Sequence, residues 1–124
     1  MIDRRALLGA TLVGTLSQVA MVVAGHFIPW IALHVFMFGG MTISAIVGYL
    51  YAQDAAKGYG RAALGGAIAG GVCALLGIAV SVMLDDTQPF VLVLGTAIST
   101  FTGAVGGVFG QMFISLRGAR PEKR

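Results

Sequence analysis

Charged residues are scarce in this sequence: eight Lys or Arg and five Asp or Glu make up 10% of its 124 residues. A soluble domain carries about 25% charged residues, so this chain lacks the side chains to cover a globule with a water-facing surface. Hydrophobic residues make up 57% of the chain, and the mean hydropathy is +0.90. This composition predicts a membrane protein whose main contact is the lipid bilayer.

Cysteine and the groups of common active sites are also nearly absent. The single cysteine, Cys73, excludes an internal disulfide and any metal site built on several thiolates. Its place in an apolar run predicts a small buried thiol. No nucleophile–base pair, paired carboxylates or phosphate-binding loop can be assembled, because the glycines lie in apolar stretches. The sequence therefore predicts no enzyme and no cofactor.

Apolar residues form four long segments, at about 5–26, 29–52, 62–84 and 89–115. A helix needs about 20 mostly apolar residues to cross the hydrocarbon core, and apart from Arg5 at the start of the first segment no Asp, Glu, Lys or Arg occurs in them. Backbone groups in lipid must be paired within the segment, and the alternation typical of barrel strands is missing. The sequence predicts an all-α membrane protein with four transmembrane helices.

Basic residues lie before the first segment, in the middle of the chain and in the tail. These are Arg4, Arg5, Lys57, Arg61, Arg117, Arg120, Lys123 and Arg124. The positive-inside rule then places both termini in the cytoplasm, and this clean bias in so compact a chain favours a bacterial inner membrane. No basic stripe follows one helix, so nucleic-acid binding is not expected.

One phrase occurs twice: "RALLGATLVG" at 5–14 and "RAALGGAIAG" at 61–70 share five of ten residues. The first copy resembles an export signal, but a second copy in the middle of the chain argues against its removal. The repeat continues in "GMTISAIVG" at 40–48 and "STFTGAVGG" at 99–107. It predicts tandem hairpins at 1–52 and 62–115, related as parallel repeats, a cytoplasmic loop at 53–61 and a basic tail at 116–124.

Small residues recur at every fourth position, a spacing that lets helix backbones approach closely. The positions predicted to pack helices are Gly14, Gly40, Ser44, Gly48, Gly66, Gly70, Gly103, Gly107 and Gly110. Gly106 and Gly110 form a second small edge on the last helix, more than one partner helix needs. This excess predicts a homo-oligomer or a larger membrane complex.

Polar side chains inside the segments are the candidates for a functional contact. Gln18 continues the small row of the first helix where the second repeat has Ala74, and Ser99 and Thr100 lie among hydroxyls of the last helix. Each has a plain structural interpretation as a hydrogen bond within or between helices. Each is also a candidate for contact with a permeating solute, as is His34.

His34 and His26 are the only candidates for a metal or haem ligand. His34 precedes Met37 and Met41 at helical spacing, and His–Met ligation occurs in haem and copper sites. His26 has no partner at a matching depth that the sequence reveals, so both histidines are expected to form ordinary interfacial hydrogen bonds. We expect no metal.

Two functions remain. The sequence favours a non-catalytic accessory, assembly or scaffold subunit that acts through helix–helix association, because its glycine edges exceed the needs of one bundle. The alternative is a small homo-oligomeric permeation or transport protein for a small solute, lined by Gln18 and the hydroxyls of the last helix.

Overall fold

The structure, a computed structural model, describes residues 4–55, 58–85 and 87–118. Within these ranges the chain forms helices and short turns, with no strand. In chain order the helices are α1 (Arg4–Phe27), α2 (Pro29–His34), α3 (Phe36–Ala55), α4 (Tyr59–Met83) and α5 (Pro89–Gly118). The all-helical fold predicted from the sequence is confirmed. Most of the basic tail and Lys57 lie outside the described residues.

Three of these helices are long and apolar enough to cross a membrane: Arg4–Phe27, Tyr59–Met83 and the Pro89–Leu116 part of α5. They are compatible with a membrane-embedded protein. Large apolar side chains point outward from them, among them Leu12, Leu64 and Phe101. Such exposure is expected where the solvent is lipid rather than water.

The segment predicted as one helix at 29–52 is divided at Val35. Pro29 begins α2, where its missing N–H has no intrahelical partner to lose. The Val35 N–H donates to the Ile31 carbonyl at 2.8 Å, and the Val35 carbonyl accepts from the Gly39 N–H at 2.6 Å. The interruption is therefore one residue long, and Val35 itself keeps φ −110° and ψ −30°, in the right-handed helical region. At its other end α3 continues to Ala55, which shortens the loop predicted at 53–61.

The helices run alternately up and down. Contacts of Gly14 with Cys73 and of Gln18 with Gly77 show that α1 and α4 run in the same direction. Contacts of Gly48 with Gly103 and of Ala52 with Gly110 show the same for α3 and α5. The start of α1, the end of α3, the start of α4 and the end of α5 thus share one side, the terminal half; the other side is the distal half.

The bundle has two inner and two outer helices. α3 and α4 pack on each other and on both remaining long helices, whereas α1 and α5 have little or no mutual contact. An exact two-fold repeat would give α1 and α5 the same contact as α3 and α4. The observed arrangement departs from that symmetry, because one pair of helices occupies the centre.

The core consists mainly of alanine and glycine. Ala62 and Ala69 are fully buried, and Tyr51 and Val47 are the largest side chains inside. Small side chains bring the helix backbones close, which allows extensive dispersion contact between the helices.

Candidate functional site

Gln18 lies at the centre of a polar cluster that joins three helices. Its side chain is 3% exposed. Its Nε2 donates to the Gly40 carbonyl at 3.3 Å, and lies 3.5 Å from Ser44 Oγ and 3.9 Å from Cys73 Sγ. Gly40 and Ser44 belong to α3 and Cys73 belongs to α4, so one amide of α1 contacts both inner helices.

The cluster ends on a single backbone carbonyl of α4. Ser44 Oγ and Cys73 Sγ each donate to the Gly70 oxygen at 3.3 Å. This carbonyl therefore accepts from two side chains besides its place in the helix. The α4 backbone comes close enough for this because Gly77 faces Gln18: a Cβ on Gly77 would stand 2.7 Å from the Gln18 Cβ.

A cavity of about 470 Å³, partly open to the outside where Phe90 and Leu94 are exposed, lies above this cluster between the distal halves of the helices. Gln18, Gly40, Ala74 and Ser99 form its floor. The remaining lining residues are Met21, Val22, Met41, Ile78, Ser81, Thr87, Phe90, Val91, Leu94, Gly95 and Ile98. The size is that of a typical small-molecule pocket, which spans about 300–1,000 Å³.

Most of the cavity surface is apolar. Among the described lining residues only Gln18, Ser81, Thr87 and Ser99 carry polar side chains, and none is charged. Ser81 and Thr87 satisfy each other through a hydroxyl–hydroxyl hydrogen bond at the distal end. Gln18 thus presents the strongest polar group near the floor.

The terminal half, in contrast, is closed by direct backbone contact. A Cβ on Gly103 would overlap the Gly66 carbonyl oxygen and lie 3.1 Å from the Gly70 Cα. A Cβ on Gly48 would in turn overlap the Gly103 carbonyl oxygen. Gly103 is therefore the point where α3, α4 and α5 meet, with no space between the three backbones.

The two small edges of α5 both pack against other helices of the same bundle. Gly107 approaches the Ala62 carbonyl of α4, as Gly103 approaches Gly66. Gly106 approaches the Ala45 carbonyl of α3, and a Cβ on Gly110 would stand 2.6 Å from the Ala52 Cβ. The second edge, from which the sequence predicts a further partner, is thus occupied by α3.

The residues predicted for helix packing all face other helices. Gly40 is half-buried and the others are buried: Gly14, Ser44, Gly48, Gly66, Gly70, Gly103, Gly107 and Gly110. Gly14 faces Val47 and Cys73, with a Cβ position 2.9 Å from the Cys73 Sγ. Gly65, Gly71 and Gly77 have equally close neighbours but fall outside the predicted set. These three glycines could have been found from the sequence, because they are small residues next to the predicted row on the same helix.

The predicted polar contacts separate into two groups. Gln18 and Ser99 both line the cavity, whereas Thr100 and His34 do not. Thr100 Oγ1 donates to the Thr96 carbonyl of its own helix at 2.7 Å. His34 is exposed, stacks on Trp30 with ring centroids 4.8 Å apart, and has Nδ1 3.0 Å from the Trp30 carbonyl.

Each histidine lies beside an aromatic ring. His26 lies edge-on to Phe27, with ring centroids 5.3 Å apart. No group of three or more His, Cys, Asp or Glu that could hold a metal occurs in ranges 4–55, 58–85 and 87–118. The side chain of Met37, which the sequence places in line with His34, lies outside the described residues.

The cavity walls had no signal in the sequence. Met21, Ile78, Leu94 and Ile98 are ordinary apolar residues of transmembrane segments, and the same residues could equally face lipid or a packed core. Only the separation of the distal halves makes them a wall.

Comparison of the chain with protein-family models, with curated proteins and with solved structures finds no match.

Proposed function

We propose that this chain is a non-catalytic protein of a bacterial inner membrane with four spans, the second formed by α2 and α3 together. Two observations support the topology. The long helices alternate in direction, and Arg4, Arg5 and Arg61 all lie exposed at the terminal half. Under the positive-inside rule this half faces the cytoplasm. The parallel course of α1 and α4 supports two tandem hairpins.

We further propose that the protein takes up a small solute in the distal cavity, as a permeation or transport protein. One observation carries this proposal: Gln18 and Ser99, polar candidates from different hairpins, both line the same cavity. Intramembrane polar groups that line a cavity are typical of solute pathways. The closed terminal half means that a solute arriving from the distal side stops at Gln18 until the contacts around Gly103 separate.

The test is solute flux into liposomes that contain the purified protein. We expect Gln18→Leu to change the flux of small neutral solutes, measured by light scattering after an osmotic step, while assembly remains intact. Ser17→Leu is the matched control, because Ser17 is exposed and bonds only to the Val13 carbonyl of its own helix, at 2.9 Å. Equal flux for wild type and Gln18→Leu would contradict the proposal.

A second candidate is the accessory subunit that associates through its helices. It is favoured by Gly9 on the outer helix α1, which is exposed and has no neighbouring atom within 4 Å of its Cβ position. An exposed glycine inside a span leaves the backbone open to close approach by another helix. The oligomer or larger complex expected from the sequence would then form on this face of α1.

Mild-detergent extraction from native membranes tests this second function. We expect other proteins at fixed stoichiometry with the wild type, and their loss in Gly9→Leu. Val93→Phe, an enlargement at an exposed position of the other outer helix, α5, is the control. A pure homo-oligomer in the extract would contradict the accessory role, and a monomer would contradict association altogether.

A further inference from the structure

We propose that the distal cavity binds a neutral molecule with an apolar body and one donor group, a hydroxyl or N–H, that bonds to Gln18 Oε1. This inference rests on the proposed uptake of a solute and names the class of that solute. It follows from the orientation of one amide and the character of the cavity wall.

The Gln18 amide has a fixed orientation. Its Nε2 faces the Gly40 carbonyl, which only accepts hydrogen bonds, so the nitrogen and the oxygen cannot be exchanged. Its Oε1 accepts no hydrogen bond from any residue in the described ranges. The described buried side-chain atoms without a hydrogen-bond partner are Thr15 Oγ1 and Thr96 Oγ1, so Gln18 Oε1 is accessible and not sealed in the core. A molecule in the cavity can therefore donate a hydrogen bond to it.

The wall defines the rest of the molecule. No charged side chain occurs among the described lining residues, and an isolated charge in this setting would be strongly disfavoured. Ser81 and Thr87 already bond to each other, so the cavity offers few further polar partners. A volume of about 470 Å³ suits a medium-chain alcohol or a molecule of similar size.

Methionine methyl groups provide reporters already present in the chain. Met21 and Met41 line the cavity, whereas Met83 and Met112 do not. Protein with ¹³C-labelled methionine methyl groups in lipid nanodiscs is titrated with decanol and, separately, with decane, each expressed as mole fraction in the bilayer. We expect saturable shifts at Met21 and Met41, with Met83 and Met112 changing only in proportion to the additive.

The hydrogen bond should appear as a preference for the alcohol. We expect half-saturation with decanol at a mole fraction about three to ten times lower than with decane, the ratio expected of one net hydrogen bond. Gln18→Leu should remove this preference while decane still binds. Ile98→Trp, which fills the cavity, should abolish saturation with both compounds.

Two results would overturn the inference: equal half-saturation for decanol and decane in the wild type, or an unchanged preference in Gln18→Leu. The wild-type comparison stands even if a variant fails to fold. Failure of the proposed uptake is distinguishable, because it appears as unaltered liposome flux while the shifts at Met21 and Met41 persist.

Discussion

Gly103→Ala is expected to destabilise the bundle by about 3 kcal/mol, the upper end of the usual range for overpacked cores. The added Cβ would overlap the Gly66 carbonyl oxygen, which belongs to a helix backbone and not to a flexible side chain. Relief therefore requires α4 and α5 to separate, and α3 is drawn in because the Gly103 carbonyl contacts Gly48. Unfolding by SDS in mixed micelles, followed by circular dichroism, measures the loss.

Gly9→Ala is the matched control for this substitution. Gly9 also lies within a long helix but has nothing within 4 Å of its Cβ position. Alanine there should be neutral or stabilise the helix by up to about 1 kcal/mol, because it is the better helix former. Similar free energies of unfolding for Gly103→Ala and Gly9→Ala would show that the helices are not in backbone contact at Gly103.

The second large effect concerns the pair Tyr51 and Gly65. Tyr51 is 1% exposed, and a Cβ on Gly65 would overlap its ring. Gly65→Ala therefore forces the ring to move, and Tyr51→Ala leaves a void that costs about 3 kcal/mol or more. In the double variant the methyl group occupies space that the ring has left. The cost of the double variant should fall below the sum of the two single costs by about 0.5–3 kcal/mol, the range of coupling between contacting residues.

Gly65→Ala combined with Leu12→Ala serves as the control for this cycle. Leu12 is 60% exposed on the outer helix α1, and distant independent sites add within about 0.5 kcal/mol. The same SDS titration gives all the free energies. Strict additivity for Tyr51 and Gly65 would contradict the contact between the ring and the α4 backbone.

The helices could largely be predicted from the sequence, because long apolar segments indicate helices by their length and composition alone. The starts of α1 and α5 fall within one residue of the predicted boundaries, since Arg5 and Pro89 mark the ends of apolar runs. The break at Val35 could not be predicted, because the apolar run continues through it without proline or a charged residue. The end of α3 was placed too early, because Gln53 and Asp54 are polar residues typical of a loop, yet they continue the helix.

The candidate site could be predicted only in part. Gln18 and Ser99 stood out because polar residues in apolar segments are few. Their meeting at one cavity depends on which helices occupy the centre of the bundle. The repeat does not predict which helices are central. Exact two-fold symmetry would give α1 and α5 the same contact as α3 and α4, but only α3 and α4 pack closely together. The sequence predicts an oligomer from the second small edge of α5. In the structure α3 covers that edge, so the edge no longer supports the prediction.

The two halves of the bundle differ: the distal half holds an apolar cavity, and the terminal half is closed by glycine contacts. Xenon enters apolar protein cavities, so crystals of the protein under xenon pressure test both halves at once. We expect a xenon site beside Ile98 and Met21, and none between Gly66 and Gly103. Xenon at Gly103, or a distal half without a xenon site, would contradict this expectation.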